Sequence, residues 1–437
     1  MMDQPAAVHA AHRDHGLVRG IGTAGLTAAI VNGVVGAGIF TLPAAVALQA
    51  GAASPAAYLI CAFIMAGVVI CFAEAGSRVP TSGGAYGTVE AAFGPAWGFV
   101  TGMLLVITDM MANGGMAAAV ADMIGDVVPA LAGSVPRLLV ILSLFALVCS
   151  ANLVGVRTTA RVITWATAVK LLPLLLFVAL GAASYGLAAP AGPPATHVTI
   201  PGFGRALIIT LFAFEGMETA LMASGEIHTP NRTLPRALFL AMMFVLALYL
   251  GVQLSAQHLL GPALAHAPAP LADAAARISP SLRSLMVTAA GVSMLAWMAS
   301  DVLGTSRMLF ALGRDGRLPA WFGQLHPRTH VPARAIFVYA GCAALLAMTG
   351  SFLELVVLSS LGTVGIYLLA CAAAYVLQRR HVALAGVPLG FKFLPAAAGV
   401  GIVGMLWLVV SASWAEDAGL AGVIGASLLI YAARGRR

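Results

Sequence analysis

Apolar residues run along the chain in stretches such as Leu138 to Cys149 and Leu171 to Leu180, and polar residues interrupt them only briefly. Runs bounded by polar or Pro/Gly breaks predict helices near Ile21 to Leu48, Pro55 to Arg78, Trp97 to Met123, Leu138 to Asn152, Val162 to Gly181 and Gly204 to Gly225. Six more follow near Pro235 to His258, Leu285 to Leu312, Ile336 to Met348, Leu353 to Leu377, Phe393 to Ser411 and Gly419 to Ala432. Several exceed the ~20 residues that span a bilayer, so tilt or interruption is expected. The predicted fold class is all-α and polytopic, with about twelve transmembrane helices and no room for a soluble domain. A tail at 1–18 precedes a single domain at 19–434.

Composition explains why the solvent for most of this surface is lipid. At 437 residues, 60% hydrophobic and 9% charged, with a mean hydropathy of +0.96, the chain cannot cover a soluble globule with polar groups. The net charge of +7 does not point to nucleic acid, because the basic residues sit in twos and threes at the ends of apolar runs. They report topology instead. With the N-terminus inside, only Arg137, Arg205, Arg277 and Arg283 of the 23 Lys and Arg fall outside, and Lys170 stays within a span. Both termini are then cytoplasmic, as an even helix count requires, and the expected location is the plasma membrane, the inner membrane of a bacterium.

The five cysteines all lie in apolar runs without metal-ligand or pairing patterns and read as buried packing residues. Residues 1–18 carry no apolar core and no cleavage site, so no signal peptide is expected. His9, His12 and His15 could present a metal-binding face on a helix, but a solvated tail is the simpler reading. No metal and no cofactor is expected.

Two segments carry the functional signal. The first holds Asn32-Gly33-Val34-Val35-Gly36-Ala37-Gly38-Ile39-Phe40 at its midpoint and Pro43 beyond, a glycine density that costs helix stability unless the backbone opens. Opening would free N–H groups at the start of a half-helix, where the dipole favours an anion such as a carboxylate. The alternative is close helix packing through small residues. A dinucleotide-binding reading fails, since no strand precedes the glycines and no ribose-binding acid follows. The sixth segment has Phe212-Ala213-Phe214-Glu215-Gly216-Met217-Glu218 in the corresponding place of a second half, and two broken helices in matching positions locate a substrate site.

With these motifs the chain resembles the amino acid, polyamine and organocation transporter superfamily, which has the LeuT-like fold. The likeness rests on Gly36 to Phe40, the Pro80-Thr81-Ser82-Gly83-Gly84-Ala85-Tyr86 loop, and Phe212 to Glu218 continuing through Glu226, Pro230, Asn231, Arg232, Pro235 and Arg236. Ser306-Arg307 and Arg314-Asp315-Gly316-Arg317-Leu318-Pro319 complete it. The resemblance implies five helices repeated in inverted orientation, at 19–183 and 203–378, and two peripheral helices at 391–434. It implies a substrate carboxylate at Gly36, Ala37 and Gly38, an amine at the carbonyls of the two opened segments, and Phe212 as an aromatic gate. Arg78 and the Arg314 to Arg317 loop read more simply as cytoplasmic anchors.

Lys170 lies deep in the fifth segment and needs a partner. Many family members have a lysine here, thought to stand where sodium binds in sodium-coupled relatives, which implies a link to the first helix and no need of sodium. A lysine snorkelling toward the interface is the structural alternative. Asp109, Glu215, Glu218 and Asp301 put four acids at mid-depth against one lysine, an excess that a cationic substrate or bound protons would compensate. By the resemblance, Asp109, Glu215 and Asp301 line the cavity at positions that are often neutral. Asn113, one turn after Asp109, could bind substrate or a neighbouring helix.

These readings predict a secondary transporter and not an enzyme. The expected cargo is an amino acid or related amine, with a cationic substrate favoured and a small neutral amino acid as the alternative. Transport would be sodium-independent, driven by protons or by exchange, within membrane lipid. A channel is the remoter reading, because selectivity rings and pore loops are not evident.

Overall fold

The computed structural model describes residues 22–36, 38–79, 84–154, 156–184, 198–218, 230–327, 329, 331–384 and 388–434. Ala37, residues 80–83 of the loop motif, Glu226 and the histidine tail lie outside them. Each predicted span overlaps helix, and the first is divided where the glycines cluster, into α1 (Thr23–Val34) and α2 (Gly38–Ala50). There follow α3 (Ser54–Arg78), α4 (Gly84–Phe93), α5 (Pro95–Val127), α6 (Ser134–Val154), α7 (Val156–Ser184) and α8 (Ile200–Phe214). After these come α9 (Pro230–Leu260), α10 (Pro270–Ala276), α11 (Pro280–Arg314), α12 (Ala333–Thr349), α13 (Phe352–Arg379), α14 (Leu394–Ser411) and α15 (Trp414–Arg434). The protein is an all-α, polytopic membrane protein. Among the described residues, eight helical stretches are long and apolar enough to cross a membrane, and shorter apolar helices accompany them.

Proline marks the entry to several helices, where its missing N–H is an orphan position anyway and its φ suits the first turn. Pro55, Pro95 and Pro201 take that place in α3, α5 and α8. Pro280 does so in α11, where the Ser279 side chain caps the helix by accepting from Leu282 N–H at 3.1 Å. At α13, Ser351 and Glu354 form a reciprocal capping box. Two sequence readings are corrected here. Gly84, Ala85 and Tyr86 open a helix instead of belonging to a loop, and Cys342 is exposed while the other four cysteines are buried.

The helices sort by burial. In α13 78% of the most apolar window is buried within the protein, against 6% in α15, which sets one at the centre and the other at the edge. Helix α5 packs along α13 and α12, α11 along α7, α9 along α1 and α3, and α2 along α8. Val410, Trp414 and Leu429 stand largely exposed, a surface that hydrocarbon satisfies and water would not. Charges pair at the helix ends: Arg137 with Asp122 at 2.6 Å, Arg205 with Glu416 at 2.7 Å, and Arg317 with Glu90. Arg78 meets Glu74 at 2.7 Å, and that carboxylate also accepts from Gly390 and Phe391 N–H.

Candidate substrate site

The site is built where two helices stop halfway. Helix α1 ends at Val34, and Gly36 N–H turns back to Val34 O at 2.7 Å before α2 begins at Gly38. Carbonyls stranded by such a break need new donors, and side chains from three other helices supply them. Lys170 Nζ of α7 donates to Asn32 O at 2.7 Å, Tyr249 Oη of α9 to Val34 O at 3.0 Å, and Ser293 Oγ of α11 to Gly36 O at 3.2 Å. Lys170 is 2% exposed and bonded to the first helix, so the snorkelling alternative does not hold.

The second break follows Phe214. Glu215 is extended and Gly216 takes a φ of +103°, a region that only glycine enters freely. A Cβ on Gly216 would lie 2.9 Å from the carbonyl carbon and oxygen of Gly33, so the two opened segments touch through backbone. Glu218 folds back, its carboxylate accepting Gly216 N–H at 3.1 Å and the Tyr367 hydroxyl at 2.7 Å. One function of Glu218 is therefore to satisfy the break.

Between the breaks lies a cavity of about 370 Å³. Gly36, Gly38, Asp109, Lys170, Phe212, Glu215, Gly216, Glu218 and Asp301 all line it. Its far end reaches Tyr86, Glu90, Arg307, Arg314 and Asp315, at the end of α11 where the basic loops gather, so Arg314 sits at the mouth and not merely on the outer surface. Asn113 does not line the cavity. It is buried behind, donating from Nδ2 to Asp301 Oδ2 at 2.7 Å and to Met298 O at 3.2 Å. Asp301 Oδ2 also accepts from the Tyr339 hydroxyl, and Asp109 Oδ2 from Thr305 Oγ1 at 2.6 Å. Asp109, Glu218 and Asp301 thus take hydrogen bonds from neutral groups, and no salt bridge among the described residues involves any of the four acids.

A family model described as amino acid permease matches residues 21–430. The chain belongs to the amino acid permease family. An uncharacterized transporter of Mycobacterium bovis is 30% identical over 420 residues, spanning 94% of this chain and 90% of its own. The branched-chain amino acid permease BcaP of Lactococcus lactis is 26% identical over 439 residues, spanning 93% and 92%. Cationic amino acid transporter 4 of Mus musculus is 28% identical over 395 residues, spanning 83% and 60%. This permease is therefore akin to amino acid transporters, not enzymes.

Several residues in and behind the cavity wall of this permease escaped sequence reasoning. Trp297 packs on Gly36, its Cδ1 2.9 Å from where a Cβ would stand, and an aromatic in an apolar run reads only as packing. Thr305, Tyr339 and Tyr367 act on carboxylates from helices distant in sequence.

Proposed function

We propose that this permease is a sodium-independent secondary transporter of amino acids or related amines that favours cationic substrates. Four carboxylates with no salt-bridge partner among the described residues, on the wall of one cavity, carry the reading. Opposite unit charges ~4 Å apart attract by about 4 kcal/mol at an effective dielectric of 20, enough to select cations if desolvation does not consume it. Independence of sodium is supported by Lys170, whose ammonium already takes a carbonyl of the opened first helix. Substrate carboxylates would meet α2 at Gly38 and the N–H groups after it, because Gly36 N–H is engaged by Val34 O. Phe212, packed beside Gly38, suits the role of gate. The reading includes an inverted repeat of 19–183 on 203–378, a plasma-membrane location and cytoplasmic termini. Protons or exchange supply the driving force.

Uptake into proteoliposomes tests it. Arginine, lysine and putrescine should compete above alanine and leucine, and Asp301→Asn should weaken cations most. If neutral amino acids compete best and neutralising the acids leaves the ranking unchanged, the carboxylates serve structure or proton movement and the neutral substrate reading replaces this one.

A further inference from the structure

Three basic side chains stand in the cavity wall among the described residues, and two of them are engaged. Lys170 donates to Asn32 O, and Arg314 lies beside Asp315 at 3.3 Å. Arg307 is different. Its Nη1 donates to Leu303 O, one turn back along α11, and it enters no ion pair among the described residues. A guanidinium carries five N–H groups and meets a carboxylate with two of them at once.

An anchor for lipid headgroups explains this arginine poorly. Arg307 is seven residues, about 10 Å, inside the end of α11 at Arg314, and it is half-buried in the cavity wall. The acids lie on the inner side of it. Asp301 is six residues earlier, about 9 Å along the helix axis, and Asp109 is tied to the intervening turn through Thr305 Oγ1. Between acid and base the wall is bare: Gly304 is exposed, lines the cavity, and a Cβ there would meet nothing within 4 Å. Helix α11 therefore presents a carboxylate, an open floor and a guanidinium in succession. A molecule that bears both an ammonium and a carboxylate answers both ends, whereas an amine without a carboxylate brings only like charge to the guanidinium.

We propose that Arg307 binds the substrate's carboxylate near the mouth of the cavity, beyond the Asp109 and Asp301 acids, so that amines carrying a carboxylate are accepted over the same amines without one. The proposal rests on the reading of this cavity as the substrate path, not on its preference for cations. It adds a second place for the carboxylate, nearer the mouth than Gly38.

Competition binding to the purified full chain tests it, with radiolabelled lysine or leucine, whichever binds more tightly, as tracer. Two matched pairs are compared, lysine with pentane-1,5-diamine and leucine with 3-methylbutylamine. The measured quantity is the preference ratio for the carboxylate-bearing member, and melting temperatures verify that each variant is folded. Arg307→Gln should lower the ratio by roughly tenfold, by weakening the amino acid and not the amine, and Arg307→Lys should retain part of it. A purely structural role weakens both members alike. An unmoved ratio in Arg307→Gln, or in Arg307→Met if that variant does not fold, overturns the proposal and leaves the substrate path standing. Leucine binding above lysine refutes the cationic preference alone, because the leucine pair still reports on Arg307. A wild type that binds neither pair refutes the substrate path and the proposal together. Binding of both members that rises with chloride in the wild type and not in Arg307→Gln assigns the guanidinium to an inorganic anion and overturns the proposal.

Discussion

Replacing Lys170 with methionine removes one hydrogen bond and little volume, which makes it a clean probe of how the opened first helix is held. The ammonium lies 2.7 Å from Asn32 O at a buried position, and Asn32 is the residue before the glycine-rich break. A hydrogen bond from a charged donor contributes ~1.5 to 3 kcal/mol, and leaving its buried acceptor unpaired adds a cost of similar size. If that bond stabilises the transporting geometry, the first figure alone corresponds to roughly a tenfold to hundredfold loss of uptake. Methionine fills most of the space, so a cavity explains little of any effect, whereas Lys170→Ala adds a packing loss. Initial uptake rates in proteoliposomes, corrected for inserted protein, are the assay, run in sodium buffer and with choline in its place. Wild-type rates should be equal in the two buffers, and both variants should be nearly inactive. Wild-type transport by Lys170→Met, or strict sodium dependence of the parent, would refute the reasoning.

Gly216→Ala should abolish transport in a protein that still inserts, because a φ of +103° costs a non-glycine residue ~1 to 3 kcal/mol and the Cβ strikes Gly33; normal uptake would remove the contact between the breaks from consideration. Gly36→Val and Gly38→Val should also stop uptake, through collision with Trp297 in one case and with Leu42 and Phe212 in the other, and activity in either would separate that glycine from the site. Asn113→Ala deprives Asp301 of a buried donor and should lower the melting temperature by an amount matching ~1 to 3 kcal/mol, which a thermal-shift measurement reads.

The spans were legible because a bilayer demands long apolar helices, so their length and spacing are written directly in the apolar runs. The breaks were legible for a related reason: Gly33, Gly36, Gly38 and Gly216 have no use in a continuous membrane helix unless backbone opens or approaches closely. What could not be read was direction. Asp109 and Asn113 share a helix face, yet Asp109 lines the cavity while Asn113 stands behind Asp301. Glu218 reads as a fourth binding acid and lines the cavity, but the sequence does not show that its carboxylate also takes Gly216 N–H and the Tyr367 hydroxyl. Such assignments depend on which helix lies opposite, and Tyr339, Tyr367 and Ser360 approach from residues far along the chain. Helix α4 was hidden for another reason, since its glycine-rich start carries the composition of a turn.

The opened first helix holds its shape because its lost bonds are replaced from several directions. Asn32 O, Val34 O and Gly36 O are each taken by a side chain, from α7, α9 and α11 in turn. Each such bond contributes only about 1 kcal/mol net, but a carbonyl left bare in a dry interior costs more than that, so the bonds to Asn32 O and Gly36 O act mainly by preventing a penalty, while Val34 O also accepts from Gly36 N–H. The arrangement also fixes what the first helix can do. Any movement of α1 away from α7 must break the Lys170 bond, and any movement away from α11 must break the Ser293 bond. Tyr249 on α9 is the partner that can travel with α1, since those two helices pack along each other. Val34 O keeps Gly36 N–H in either case, so what α1 loses by moving is the Lys170 and Ser293 bonds.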